Sequence, residues 1–123
     1  LIEVTVDGAP DIVEARLAAR AIVSSSLVKT AAHGSDPNWG RIIAAVGQSG
    51  VEVVESQIDL YIDNICLVRA GESLPFDREA VIATLSNDEV PISLQLNLGT
   101  ATATAWGCDL SEEYVTINSQ YTT

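Results

Sequence analysis

Pro91-Ile92-Ser93-Leu94-Gln95-Leu96-Asn97-Leu98, followed across Gly99 by Thr100-Ala101-Thr102-Ala103-Thr104-Ala105-Trp106, is the stretch on which the fold turns. Ile92, Leu94, Leu96 and Leu98 alternate with Ser93, Gln95 and Asn97, the period of a strand with one apolar and one polar face. The threonine and alanine run repeats the same period. Two strands are therefore predicted, and the four residues from Asn97 to Thr100 suggest that they pair antiparallel across a tight turn.

Working outward, Leu1 to Val6 alternates apolar and polar residues and predicts a half-buried strand that ends in a turn at Asp7-Gly8, closed by Pro10. From Asp11 the period changes. Val13, Leu17, Ala21 and Ser24 stack at helical spacing, flanked by Ile12 and Ile22, with Arg16 and Arg20 facing elsewhere, which predicts an amphipathic helix ending in Ser24-Ser25-Ser26. His33 to Arg41 is polar and turn-rich and reads as a loop, with Asp36 or Asn38 placed to cap a helix through Ile42 to Val46 that stops at Gly47. Val51 to Val54, Ile58 to Ile62 and Ile65 to Arg69 have strand-like residues. Ala80 to Leu85 has helical spacing behind Asp77, Arg78 and Glu79, where acids suit the helix dipole. Tyr114 to Ile117 reads as a short helix or a last strand. The expected class is α+β (mixed α/β): a mixed sheet of five or six strands packed by about three helices, in one domain over residues 1–123.

Composition narrows the function. Six Lys and Arg stand against 17 Asp and Glu, a formal charge of -11. A surface of that sign does not track phosphates, so nucleic acid is not an expected partner. No apolar run is long enough to span a bilayer, so no membrane is expected either. Cys66 and Cys108 fit neither a CxxC pair nor a zinc knuckle and read as two reduced thiols, which points to the cytoplasm. Without any Met and with Leu at position 1, the chain reads as a processed product or a fragment.

Few residues suit catalysis. Gly47-Gln48-Ser49-Gly50 lacks the spacing of a phosphate cradle and reads as a helix stop. His33 is the only histidine, so neither a serine triad nor a zinc site is expected; no metal is predicted. Asp88-Glu89 and Glu112-Glu113 read as solvated surface. Asp36 and Arg41 bracket Pro37, Asn38, Trp39 and Gly40, a segment that an ion pair and a packed ring can lock. Asp109, after Trp106-Gly107-Cys108, reads as a cap. The terminal Asn118 to Thr123 taken alone reads as a frayed tail.

Longer strings change this picture. Leu27-Val28-Lys29-Thr30-Ala31, Ser35-Asp36-Pro37-Asn38-Trp39-Gly40-Arg41-Ile42, Ala44-Ala45-Val46-Gly47, Thr104-Ala105-Trp106-Gly107-Cys108-Asp109-Leu110, and Tyr114 to Asn118 through Tyr121-Thr122-Thr123 resemble the ornithine acetyltransferase family, the bifunctional glutamate N-acetyltransferases of arginine biosynthesis. The likeness runs over essentially the whole chain.

The resemblance implies a precursor that cleaves itself before a threonine, giving an α and a β chain in an α2β2 assembly in the cytoplasm. That threonine then carries acetyl from N-acetylornithine to glutamate, and some members also accept acetyl-CoA as a substrate; no cofactor is implied. On this resemblance the chain is the C-terminal part of the β chain, and the threonine nucleophile and the substrate-binding glutamate lie upstream of it. No catalytic residue is then expected among these 123. Asn118 and Thr123 are the expected substrate-binding residues, with Asp36, Asn38, Trp39, Arg41 and Asp109 organising the fold nearby. His33 stands where relatives carry a bulkier apolar side chain. The alternative reading is a non-catalytic, acidic interaction or oligomerisation domain.

Overall fold

The computed structural model describes residues 1–25 and 40–107, with Arg41 described by its backbone only. Within them, three helices and six strands follow one another as β1 (Ile2–Ala9), α1 (Ile12–Ser24), α2 (Gly40–Gln48), β2 (Asp59–Ile62), β3 (Ile65–Arg69), β4 (Glu72–Ser73), α3 (Arg78–Leu85), β5 (Val90–Gln95) and β6 (Ala101–Gly107), with a turn of 3-10 helix at Glu55–Gln57. The six strands form one mixed sheet in the order β4-β3-β2-β5-β1-β6. This is the expected α+β architecture.

The expected pairing of the two deciding strands is corrected. β5 and β6 do not form a hairpin: both pair with β1, β5 in parallel and β6 antiparallel, so β1 lies between them. The connection is long enough for a hairpin, but the chain instead crosses the end of β1, where its amides find the Gly8 carbonyl. Asn97 takes a φ of 58°, and the amides of Leu98 and Gly99 both donate to the Gly8 carbonyl at 2.8 Å. β1 itself runs past the predicted turn at Asp7-Gly8, because Gly8 adopts a φ of +74° and the register against β6 shifts between Val6 and Ala9. A bulge absorbs the turn signal without ending the strand.

Register explains why one face is core. Ile2, Val4 and Val6 lie beside Val90, Ile92 and Leu94 of β5 on one side and Gly107, Ala105 and Ala103 of β6 on the other. Leu60 and Ile62 of β2 continue the same face next to Leu94 and Ile92. All of these side chains are buried, together with Val81 and Leu85 of α3 and Ile42, Ala45 and Val46 of α2.

α1 packs on β1 and β6 and against α2. Its N-terminus is capped by Asp11, whose carboxylate accepts from the Glu14 amide at 2.8 Å. The helix runs where the period predicted, but its buried face is the opposite one. Ala15, Ala18, Ala19, Ile22 and Val23 are buried, while Val13 is 59% and Leu17 44% exposed. Alanines let the helix approach a sheet whose facing strand also carries Ala103 and Ala105; leucine in their place would hold it off. Val51 to Val54 is not a strand and leads to the 3-10 turn. The predictions at Asp36 and Asn38 as caps and at Tyr114 to Ile117 fall outside the described residues.

Candidate functional site

Asn118 and Thr123, the expected substrate-binding pair, lie outside the described residues, as do Asp36, Asn38, Trp39 and Asp109. Arg41 occupies the first turn of α2. The described residues show how the ends of β1 and β6 are arranged. At one end of the sheet, Ile2 pairs with Gly107, the last residue of β6. Leu1 continues the ladder beyond Ile2: its nitrogen donates to the Asp88 carbonyl at 2.7 Å, and its own carbonyl accepts from the Val90 amide at 2.8 Å. The start of β1 and the end of β6 therefore lie side by side on adjacent strands.

A cavity of about 250 Å³ opens at this same end, between the sheet and the loop that follows α3. Glu3, Asp63, Glu89, Thr84, Asn87 and Trp106 line it. Trp106 is fixed there by an indole N–H donated to the Glu3 carboxylate at 2.9 Å across the β1–β6 pair. Thr84, although 92% removed from solvent by its 8% exposure, uses its hydroxyl to donate to the Ala80 carbonyl at 3.1 Å, inside its own helix. Sequence reading singled out Trp106 as part of a motif and passed over Glu3. Only the antiparallel register joins residues 103 positions apart.

The remaining ionisable chemistry lies on β2 and β3. Arg69 donates to the Tyr61 hydroxyl at 3.3 Å and to the Cys66 thiol at 3.9 Å. Tyr61, then Cys66, hold the guanidinium above its ordinary value, so it stays cationic throughout the accessible pH range. Cys66 is a free thiol in an intermediate environment. Among the described residues no cluster of three His, Cys, Asp or Glu is arranged to hold a metal ion, and no helix is long and apolar enough to cross a membrane.

These features define a class: a helix-layered mixed sheet with the start of β1 and the end of β6 side by side, next to an acidic, tryptophan-lined cavity. The ArgJ family model matches residues 1–123, and the chain belongs to that family. It is 53% identical over its whole length to the arginine biosynthesis bifunctional protein ArgJ of Parasynechococcus marenigrum, and 50% identical to those of Dehalococcoides mccartyi and Bacillus cereus. The chain spans 30% of the length of each of these three relatives. The crystal structure of the Bacillus halodurans arginine biosynthesis bifunctional protein superposes with a TM-score of 0.87 at 47% identity, over 92% of this chain and 54% of the solved one.

Proposed function

We propose that this chain is the C-terminal part of the β chain of an ornithine acetyltransferase that moves acetyl from N-acetylornithine to glutamate in the cytoplasm, within an α2β2 assembly. The observation that carries this reading is the match of the family over residues 1–123, beside the pairing of Ile2 with Gly107 that sets the start of β1 next to the end of β6. The coverage figures agree with a precursor divided in two: the same stretch is 54% of the solved relative's chain but 30% of the curated relatives, so the solved chain is a little over half as long.

The chemistry is covalent acyl transfer. The upstream threonine hydroxyl attacks the acetyl carbonyl, the ornithine amine leaves with a proton, and the amine of glutamate then attacks the acetyl-threonine ester and restores the hydroxyl. Acetyl-CoA is a second acetyl source for the same ester. Residues of this chain recognise rather than attack. The Asn118 amide carbonyl accepts from a substrate ammonium while its NH₂ group donates to a carboxylate, and Thr123 offers a hydroxyl. Asp36, Asn38, Trp39, Arg41 and Asp109 hold the neighbouring backbone. No metal or cofactor takes part.

Intact mass spectrometry of the whole assembly after brief incubation with N-acetylornithine tests this. The β chain is expected to gain one acetyl group, carried after digestion on the peptide that begins with its N-terminal Thr, while peptides from residues 1–123 stay unmodified. An acetyl group on a side chain of residues 1–123 overturns the assignment.

A further inference from the structure

Asp7-Gly8 is the one Asp-Gly step in the sequence, which holds no Asn-Gly. The fold gives this step a geometry that the two letters do not contain. The Gly8 amide donates to Oδ1 of Asp7, the residue before it, at 2.8 Å. A backbone nitrogen and the carboxyl group of the adjoining side chain therefore face each other directly. The other described aspartates whose carboxylates take up amides turn them elsewhere: Asp11 to the Glu14 amide, Asp77 to those of Glu79 and Ala80, and Asp59 to the Ala70 amide and the Asn97 side chain. Each of these is also followed by a residue with a side chain, Ile12, Arg78 or Leu60.

The pair is held in place on both sides. Gly8 has a φ of +74°, its carbonyl accepts from the Leu98 and Gly99 amides at 2.8 Å, and the Asp7 carbonyl accepts from the Leu96 amide at 2.9 Å. A Cβ on Gly8 would lie 2.7 Å from the Asn97 nitrogen, so the position requires glycine, and the Gly8 nitrogen carries no neighbouring side chain to screen it. Holding two groups in one orientation replaces a chance encounter by a standing one.

We infer that Asp7-Gly8 is a site of self-modification, where the chain closes to a succinimide and reopens as isoaspartate. The Gly8 nitrogen bonds to Cγ of the protonated Asp7 carboxyl, the bond from Cγ to its hydroxyl breaks, and the amide proton leaves with that hydroxyl as water. Water then opens the ring. Attack at Cγ restores Asp7; attack at the main-chain carbonyl leaves the peptide running through Cγ and turns that carbonyl into a free carboxylate. No oxidant or cofactor enters. The acceptor of the Leu96 amide thereby leaves the main chain, and β1 lengthens by one backbone atom just before the Gly8 carbonyl that anchors the β5–β6 crossing. The crossing loosens.

The test ages the full-length ArgJ protein that carries this chain at neutral pH, beside a synthetic peptide of residues 2–10. Electron-transfer fragmentation of digests, together with methylation by an isoaspartyl methyltransferase, reads the product. Isoaspartate is expected at position 7 and not at Asp11, Asp59 or Asp77, at a rate in the protein no lower than in the peptide. Asp7→Glu is expected to lose it, because glutamate would have to close a larger ring. Slower conversion in the protein than in the peptide overturns the proposal, since the fold then protects the step, and so does an isoaspartate signal that survives Asp7→Glu. Limited proteolysis is expected to cut the converted fraction faster between Asn97 and Gly99 than the fresh protein; equal cutting overturns the effect on the crossing.

Discussion

Gly71 stands at a φ of +78°, and a Cβ there would run into the Glu55 carbonyl oxygen and lie 2.9 Å from the Ser56 Cα. Both obstacles are backbone, so neither can swing away. Gly71→Ala is expected to destabilise the protein by about 2 kcal/mol or more, read as a lower urea midpoint at unchanged slope. Asp59 explains why this corner is tight: its carboxylate accepts from the Ala70 amide at 2.8 Å and from the Asn97 side-chain amide at 3.2 Å, and Asn97 also donates to the Gln57 carbonyl at 2.7 Å. One side chain ties together the β3–β4 turn, the 3-10 turn and the β5–β6 crossing. At the other end of the sheet, Trp106→Phe keeps the ring and removes the N–H to Glu3; a loss of about 1 kcal/mol is expected in the same measurement.

At the scale of elements, α1 separates what periodicity can read from what it cannot. Its Val13, Leu17, Ala21 and Ser24 line and its Ala15, Ala18, Ala19, Ile22 and Val23 line both have helical spacing. The first holds Val13 and Leu17 but also Ser24, and the second holds Ile22 and Val23 among alanines, so spacing alone does not choose between them. The structure buries the second, because β1 and β6 present valines and alanines that only a small-residue face can approach. Two substitutions follow from this choice. Ala18→Leu forces the helix away from the sheet and is expected to cost about 1–3 kcal/mol in urea unfolding. Leu17→Ala, on the exposed line, is expected to stay within about 0.5 kcal/mol. Asp11→Ala should remove about 1 kcal/mol by leaving the Glu14 amide without its cap.

For the whole molecule, the arrangement of strands decides which ends of the chain lie together. Had β5 and β6 formed the hairpin that their short connection suggests, β1 and β6 would not be neighbours, and Ile2 would not pair with Gly107. The crossing of β1 by Asn97 to Gly99 puts β6 on the far side and brings them together. If Asn118 recognises substrate rather than reacting, Asn118→Ala in the full assembly should raise KM for N-acetylornithine while acetylation of the N-terminal threonine of the β chain still occurs at saturating substrate. Steady-state and single-turnover rates compared on the same preparation check it; loss of acetylation at saturation would give Asn118 a part in the chemical step.

The sequence by itself determined the existence and period of nearly every element, because alternation and helical spacing are local properties that burial then enforces. Its motif strings also carried the family, since DPNWGR, AWGCDL and the YTT end are too specific to recur without common descent. The pairing partners of β5 and β6, the buried face of α1 and the meeting of Glu3 with Trp106 were decided only in the tertiary structure. Each is a contact between residues distant in sequence, chosen by which surfaces approach most closely, and no window of local sequence contains that comparison.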